Sequence, residues 1–283
     1  MPFPAQRPAG VAPYERLRSL LPISARHNEF NRDGTRHVVI FDLDGTPADI
    51  GFPDTYLAET EPNGLLAIGG DLSKERLLSA YRHGIFPWYS PGQPILWWSP
   101  APRMVLYPGE FHVSRSLRRT LRRGALRISV NQAFAEVIKA CAAPRDLVGG
   151  SWLLPEMIAS YVRLHEAGYA HSIEVWENHR LVGGLYGIAL GRVFFGESMF
   201  SRRTDASKVA MAQLAELALS QPFDLIDCQV YTEHLSSLGA REISRDDFLL
   251  ALYRGIDAES RPLGILPMRP ASDLVTAVPA GGQ

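Results

Sequence analysis

The stretch HSIEVWENHRLVGGLYGIALGRVFFGESM, residues 171–199, decides the fold of this chain. It contains three runs rich in β-branched and aromatic residues, at 171–176, 181–190 and 192–199. Residues 177–180 and Gly191 supply short, turn-forming breaks between these runs. Strand-like runs joined by tight turns predict three neighbouring strands of an antiparallel meander.

Helices and strands alternate on both sides of this meander. The pattern predicts strands at 104–107, 126–130 and 225–230, and helices at 114–123, 133–142, 155–166, 206–220 and 245–253. An alternation of this kind is typical of a mixed α/β (α+β) fold.

Composition divides the chain into four segments. Residues 1–36 and 266–283 are rich in Pro, Gly or Ala with little periodicity, and are predicted to be a disordered tail and a flexible tail. Residues 37–102 predict a small N-terminal domain with a helix at 74–83, and residues 103–265 predict the main domain.

The overall composition limits the classes of function. The 283 residues are 46% hydrophobic and 21% charged, as in globular proteins, and the net charge is -1. A charge so close to zero argues against a generic nucleic-acid coat, so any polyanion must bind at a local basic patch.

Two features favour the cytoplasm as the location. Cys141 and Cys228 are too few for a disulfide framework, which fits a reducing compartment. No apolar stretch approaches the roughly 18 residues of a membrane span, so no membrane partner is expected.

The predicted helix at 114–123 is strongly basic. Leu117 and Leu121 form its buried side, and no acidic residue inside the helix offsets its charge. The arginines on its outer faces are Arg115, Arg118, Arg119, Arg122 and Arg123. Such a helix is suited to a phosphate backbone, and a solvated amphipathic helix stays an open alternative. Arg202 and Arg203 form a second basic cluster beside the meander.

Aromatic residues near a basic surface favour base stacking. Trp88, Trp97, Trp98 and Trp152 are predicted to lie in loops or at loop edges, where burial is not enforced. Packing between elements is the competing use, and two of the four are expected to serve it.

Three motifs have a structural interpretation that outweighs the catalytic one. VVIFDLDGT, residues 38–46, resembles the first motif of haloacid-dehalogenase-type phosphatases, but Pro47 and Gly51 interrupt the sheet such a fold needs. A strand with an Asp-Gly turn is therefore favoured.

The segment GESMF, residues 196–200, lacks the second glycine that a nucleophile elbow requires. Cys228 with His234 is a weak thiolate pair, because cysteine is usually a small buried hydrophobe.

No metal site is predicted. His112, His165, His171 and His179 are scattered without the spacing that metal ligands need, so surface or internally bonded histidines are expected.

Six ordered segments resemble the leucyl/phenylalanyl-tRNA-protein transferases. They are PNGLLAIGGDL (62–72), GIFPW (84–88), LWWSP (96–100), HSIEVW (171–176), GESMFS (196–201) and IDCQV (226–230). The resemblance covers residues 51–252 and leaves the first fifty residues unexplained.

The resemblance implies a fold and an activity. The expected fold is a small N-terminal domain followed by a GNAT-like (acetyltransferase-like) domain with a mixed, largely antiparallel sheet. The expected enzyme moves Leu or Phe, and also Met, from aminoacyl-tRNA to the α-amine of an N-terminal Lys or Arg. Its acceptor proteins would thereby be marked for N-end-rule degradation. A monomer is expected.

No cofactor is expected. The loop at 201–206 has no glycine that would let a pyrophosphate approach the backbone, which argues against coenzyme A. An acetyl-CoA-dependent N-acetyltransferase and a non-catalytic tRNA-binding module remain as alternatives.

Asp227 and Gln229 match the pair that the family uses in catalysis. Because side chains alternate along a strand, both are predicted to share one face, opposite Ile226 and Cys228. Asp227 would accept a hydrogen bond from Gln229 or take up the proton, and Gln229 would orient the incoming amine.

The resemblance also implies binding residues. Glu197 would pair with the cationic side chain of the acceptor, and an ion pair with Arg202 is its structural alternative. Trp88 and Trp152 would hold the terminal adenosine of the tRNA. The apolar aminoacyl pocket would be formed by Leu185, Phe194, Met199, Leu214 and Ile226.

Overall fold

The computed structural model describes residues 40–48, 51–143, 153–221, 223–259 and 263–277. The predicted N-terminal tail, 1–36, lies outside the described residues. The chain divides into two compact units between Ala101 and Pro102.

The first unit contains a four-stranded sheet with the strand order β1-β2-β4-β3. Its elements are β1 (Phe41–Asp42), a 3-10 helix (Thr55–Leu57), β2 (Leu65–Ile68), α1 (Lys74–Arg82), β3 (Phe86–Pro87) and β4 (Leu96–Trp98). Helix α1 begins where Ser73 Oγ accepts a hydrogen bond from the backbone of Arg76, which satisfies an amide that the helix cannot bond internally.

The phosphatase-like string has a structural role. Phe41 and Asp42 pair in parallel with β2, and the Asp-Gly turn follows directly. Asp42 Oδ1 accepts from the backbone of Asp44 at 2.9 Å, and Asp44 Oδ1 accepts from the backbone of Gly70 at 2.8 Å. Both carboxylates thus bond the backbone of their own unit, as the prediction of a strand and turn requires.

Trp97 and Trp98 are predicted to lie in loops or at loop edges where burial is not enforced, and the expected lack of burial is wrong. Both are buried in β4, and the indole N–H of Trp97 donates to the Gly69 carbonyl at 2.9 Å. These two tryptophans pack the core of the first unit, which is the use expected for two of the four.

The second unit is built on an eight-stranded sheet. Its strands are β5 (Arg103–Leu106), β6 (Arg127–Val130), β7 (Ala170–Glu177), β8 (Arg180–Leu190), β9 (Val193–Ser201), β10 (Leu225–Gln229), β11 (Arg241–Ile243) and β12 (Leu266–Pro270). The strand order is β11-β5-β10-β9-β8-β7-β6-β12. Within this sheet only β9 and β10 pair in parallel among the described strands, so the predicted mixed, largely antiparallel sheet is confirmed.

Helices cover both faces of this sheet. They are α2 (Arg115–Arg122), α3 (Phe134–Ala142), α4 (Pro155–Glu166), α5 (Ala206–Ser220), α6 (Glu233–Ser236), α7 (Arg245–Ile256) and α8 (Leu274–Ala277), with 3-10 turns at Pro108–Glu110 and Ala271–Asp273. A Cβ added at Gly183 would meet Ala206 of α5, and one at Gly184 would meet Val137 of α3. Adjacent strand residues point to opposite faces, so α5 and α3 lie on opposite sides of the sheet.

The predicted meander is confirmed, with β7 and β8 joined by Asn178 and His179. Both turn residues have positive φ, 48° and 61°, as a two-residue hairpin of this twist needs. Helix α5, which follows the meander, is buried on nearly all sides, in keeping with its row of Ala, Val, Leu and Met. The antiparallel meander, the helix and the parallel strand β10 follow in the order expected of a GNAT-like domain.

The buried carboxylate of Glu174 joins the meander to α3. Helix α3 has no capping bond from its own N-cap residue, Ala133. Glu174 instead accepts from the backbone of Ala133 at 3.3 Å, from Ser172 Oγ at 2.5 Å and from Ser129 Oγ. Burial raises the pKa of the Glu174 carboxyl above its ordinary value, and the hydrogen bonds from these donors offset only part of that rise.

The predicted flexible tail at 266–283 is wrong for its first part. Strand β12 pairs with β6, and Ala271 and Leu274 are buried in the same core as α2 and α5. The prolines that favoured a tail are tolerated because β12 is an edge strand. Residues 278–283 lie outside the described residues.

None of the helices in the described part of the chain has the length and apolar character that a membrane crossing requires.

Candidate active site

The two basic clusters that the sequence predicts separately line one cavity of about 690 Å³. We call it the basic cavity. The residues around it are Ser116, Arg119, Thr120, Arg123, Ala125, Leu126, Glu177, Val182, Arg202, Arg203, Thr204 and Asp205. Helix α2 supplies one wall, and the loop between β9 and α5 supplies the other. The meeting of the clusters concentrates positive charge in a concave surface.

The charge of this cavity is only partly neutralised. Arg203 pairs with Glu177 at 2.5 Å, and the Asp205 carboxylate adds a second negative charge to the cavity wall. Among the described residues, Arg119 and Arg123 have no carboxylate partner within 4 Å. Arg115, Arg118 and Arg122 are on the same helix but do not line the cavity.

The loop before α5 satisfies the start of its own helix. The amide of Ala206 donates to the Arg203 carbonyl at 3.0 Å, and the amide of Ser207 donates to Ser201 Oγ at 3.4 Å. Asp205, the N-cap residue, adopts φ 67° without being glycine. Because these amides have internal partners, they are not presented to a pyrophosphate as in a phosphate-binding loop.

A second, apolar cavity lies where β9 and β10 separate. The two strands pair only from Leu225/Val193 to Asp227/Phe195. The walls of the cavity come from β8, β9, β10, α5 and α6: Leu185, Tyr186, Gly196, Ser198, Met199, Met211, Leu214, Ile226, Cys228 and Leu235. We call this the apolar cavity. Its free volume is about 20 Å³, close to the space that one water molecule needs.

Four of the five predicted pocket residues line the apolar cavity: Leu185, Met199, Leu214 and Ile226. Phe194 does not. It is buried at the base of the β9/β10 pair, with its ring 6.4 Å from that of Phe223. Ile226 and Cys228 both reach this cavity, as strand alternation predicts.

Asp227 is held by an arginine that the sequence reasoning missed. Arg103 Nε donates to Asp227 Oδ1 at 2.8 Å, and Arg103 Nη2 donates to Oδ2 at 2.7 Å. Both side chains are at most 1% exposed. The guanidinium also lies over the ring of Phe248, 4.5 Å from its centroid. A charged residue at the start of the apolar run 104–106 was the available signal.

Strand β10 is irregular between Asp227 and Gln229, so the shared face predicted for these two side chains stays a prediction. Pairing of β10 with β5 shifts register between these residues, and Gln229 adopts φ 60°. The regular alternation therefore ends before Gln229. The hydrogen bond between them exists, but the backbone N–H of Gln229 donates it to Asp227 Oδ1, at 3.0 Å.

Glu197 lies on β9 just beyond the end of its pairing with β10. It is half-buried and accepts a hydrogen bond from Tyr161 Oη of α4 at 2.8 Å. The ring of Tyr161 packs against that of Tyr186, and burial, with the nearby Tyr161 and Glu197, raises the pKa of Tyr186. Arg202, the alternative partner, lies over Phe200 and donates to the Leu181 carbonyl.

The motifs discounted above are confirmed as structural. Residues 196–200 continue strand β9, so Ser198 is not on a nucleophile elbow. Burial raises the pKa of the Cys228 thiol, which disfavours a thiolate. Burial and nearby positive charge, including Lys208, lower the pKa of His234 to about 4. In the described residues no group of three or more His, Cys, Asp and Glu side chains is arranged to hold a metal ion, and the absence of a metal site stays a prediction.

Of the two tryptophans predicted to hold the terminal adenosine, Trp88 is among the described residues. Trp88 is half-buried in the first unit, where its carbonyl accepts from the indole N–H of Trp98 at 2.6 Å. Trp152 lies outside the described residues.

Comparisons with known proteins identify the family of this chain. The family profile described as leucyl/phenylalanyl-tRNA protein transferase matches residues 105–253, and its N-terminal-domain profile matches residues 70–101. Enzymes of this name from Cellvibrio japonicus and Stutzerimonas stutzeri are 60% and 58% identical, over 72% and 75% of this chain and 86% and 94% of theirs.

The similar solved structures include a GCN5-related N-acetyltransferase-like protein from Streptococcus suis. It matches with 13% identity and a TM-score of 0.30, over 56% of this chain and 59% of that chain. A likeness at this TM-score has no weight beside the sequence relatives. Two profiles and relatives at this identity show that the chain belongs to the leucyl/phenylalanyl-tRNA protein transferase family.

Proposed function

We propose that this aminoacyltransferase moves Leu, Phe or Met from aminoacyl-tRNA to the α-amine of acceptor proteins that begin with Lys or Arg. The observation that carries the proposal is the apolar cavity between the separated ends of β9 and β10, lined by Leu185, Met199, Leu214 and Ile226. An apolar wall discriminates by only about 1 to 3 kcal/mol per methylene, so several apolar amino acids can be accepted. The modified proteins would enter N-end-rule degradation.

The reaction needs no further activation. The acceptor amine attacks the ester carbonyl of the aminoacyl-tRNA, a C–N bond forms, and the C–O bond to the terminal ribose breaks. The amine proton passes to the released ribose hydroxyl. Gln229 would orient the amine against the carbonyl, so its contribution is mainly one of geometry. Trp88 and Trp152 remain the proposed contacts of the terminal adenosine.

The basic cavity supports docking of the tRNA backbone. Arg119, Arg123 and Arg202 present guanidinium groups in a concave surface, where bidentate contacts to phosphate are favoured. The net charge of the whole chain is -1, so this patch is a local property of the surface.

Two further properties belong to the proposal. Cys141 and Cys228 are buried and are not joined in a disulfide, which supports a reducing compartment such as the cytoplasm. We also propose that the protein is a monomer. Light scattering during gel filtration would test this by measuring the molar mass.

One assay tests the activity. The enzyme is incubated with a peptide beginning with Arg, labelled Phe-tRNA and labelled acetyl-CoA. We expect label on the peptide from the tRNA only. Label from acetyl-CoA would establish the acetyltransferase alternative, and binding of tRNA without transfer would establish the non-catalytic module.

Replacing Arg119 and Arg123 by Gln is expected to weaken tRNA docking. The apparent KM for Phe-tRNA should rise about tenfold at 0.1 M salt, and the slope of log KM against log salt should fall by about one per lost phosphate contact. Steady-state kinetics over a salt series measure both quantities.

The matched control is the pair Arg115→Gln and Arg122→Gln on the same helix. This variant loses the same charge outside the basic cavity, and its KM should change by less than about threefold. An equal rise in both variants would contradict docking in the cavity. Unchanged KM values in both variants would establish the alternative, in which α2 is a solvated helix with no part in tRNA docking.

Replacing Glu197 by Gln is expected to weaken reading of the acceptor. A charge-assisted contact contributes about 1.5 to 3 kcal/mol, so kcat/KM for an Arg-starting peptide should fall about 10- to 100-fold. The KM for Phe-tRNA should stay unchanged. Tyr161→Phe removes the hydroxyl that holds Glu197 and should give a smaller loss in the same parameter.

Glu166→Gln is the control, because it makes the same change at an exposed position on α4. If the effect of Glu197→Gln appears only in the KM for Phe-tRNA, the assignment to the acceptor is wrong.

A further inference from the structure

The Arg103–Asp227 pair is the most completely buried ion pair among the described residues. Its side chains are 1% and 0% exposed, whereas the other pairs have at least one partner that is 20% or more exposed. Removing two charges from water is costly, and an apolar pair of similar volume often stabilises a fold as well or better. The pair is therefore better explained by the geometry it imposes than by stability.

The carboxylate of Asp227 also bonds the backbone of Gln229. Asp227 Oδ1 accepts two hydrogen bonds, from Arg103 Nε at 2.8 Å and from the backbone N–H of Gln229 at 3.0 Å. Gln229 adopts φ 60°, a conformation that a residue with a side chain rarely takes without local support. The carboxylate supplies this support where β10 leaves its regular register with β5.

Arg103 is itself fixed from two sides. It opens β5, where it pairs with Ile243 of β11, and its guanidinium lies over Phe248 of α7. Two donors of its fork bond both oxygens of Asp227, which fixes the rotation of the carboxylate. A lysine at this place could donate to the carboxylate but could not make this two-pronged contact.

We propose that Arg103 is a positioning residue of the transfer reaction, which orients Asp227 so that its Oδ1 holds the Gln229 backbone and thereby aims the Gln229 side chain. Asp227 then acts as an ion-paired anchor and not as the acceptor of the amine proton. This inference rests on the proposed function, in which Gln229 orients the attacking amine.

The test is a double-mutant cycle of Arg103→Lys and Gln229→Ala in the full chain, with Phe-tRNA and an Arg-starting peptide as substrates. In the otherwise unchanged enzyme, Arg103→Lys is expected to lower kcat about tenfold or more, because misplacement of a reacting group by about 1 Å can cost 100-fold. The KM for Phe-tRNA should change less than about twofold. In the Gln229→Ala background, Arg103→Lys should change kcat less than about twofold, because its target is gone.

Hydrogen exchange of the Gln229 amide gives a readout independent of activity. Exchange should accelerate in Arg103→Lys, because the carboxylate that accepts this amide is no longer held. Arg127→Lys is the matched control, since it makes the same change at an exposed residue and should leave exchange and kcat unchanged.

A second variant covers the case in which Arg103→Lys does not fold. Arg103→Met with Asp227→Leu removes both charges together, so no unpaired charge is left buried. It should melt cooperatively and lower kcat by about the same factor as Gln229→Ala.

The outcomes separate the inference from the proposed function. Full kcat in a folded Arg103→Lys or in the charge-free pair overturns the role of Arg103. An equal loss from Arg103→Lys with and without Gln229 overturns it as well, because Arg103 would then act by another route. Full kcat in Gln229→Ala overturns the assignment of Gln229 itself.

Discussion

Transfer of phenylalanine from charged tRNA is expected to fall about 100-fold or more when Gln229 is replaced by Ala, because the attacking amine loses the group that orients it. The free energy of unfolding should change by less than about 1 kcal/mol, since the hydrogen bond recorded for Gln229 is made by its backbone. Single-turnover kinetics and urea denaturation measure the two quantities.

Gln229→Gly is the matched variant. Glycine adopts φ 60° without strain, so this change removes the side chain and relaxes the backbone. Both variants should lose transfer and still bind Phe-tRNA. Transfer at the normal rate by the glycine variant would show that the side-chain amide has no part in the reaction.

Asp227→Ala is expected to lower the free energy of unfolding by about 3 to 5 kcal/mol, because it leaves Arg103 buried without its partner. Urea denaturation measures this change. Because Asp227→Ala also destabilises the fold, a loss of transfer in this variant would not by itself assign a chemical role to Asp227.

Asp224→Ala is the control, three residues earlier in the chain. Asp224 pairs with Arg192 at 2.6 Å, but both side chains are about 40% exposed. Its loss should cost less than about 1 kcal/mol. If the two variants are equally stable, the carboxylate of Asp227 is not locked to Arg103 in solution.

Local sequence signals predicted the elements of the fold well. The predicted helices at 155–166 and 206–220 match α4 and α5 residue for residue. Ser114 caps α2, and Asn178 with His179 makes the β7/β8 turn. These signals are short-range, so they can be interpreted without knowledge of the tertiary structure.

Contacts between residues far apart in the chain could not be predicted from local sequence patterns. Strand alternation placed Ile226 and Cys228 correctly, but it did not predict the irregular backbone at Gln229, where φ is positive. Arg103 and Asp227 lie 124 positions apart, and no local pattern indicates that they meet. Composition likewise missed β12, whose edge position tolerates its prolines.

The meeting of the two basic clusters could not be predicted either. Each cluster was recognised from its own arginines, but only the packing of α2 beside the loop before α5 brings Arg119 and Arg123 together with Arg202.

The small volume of the apolar cavity has a consequence for how specificity can change. With about 20 Å³ free, the cavity would have to widen to act as the proposed aminoacyl pocket for leucine or phenylalanine, and the flexible side chains of Met199 and Met211 are suited to that movement. The observed dissociation constant then equals the intrinsic one divided by the fraction of molecules that are open. Substitutions that alter this fraction would scale the affinity for every amino acid equally, whereas only substitutions in the wall would alter the ratio of Leu to Phe.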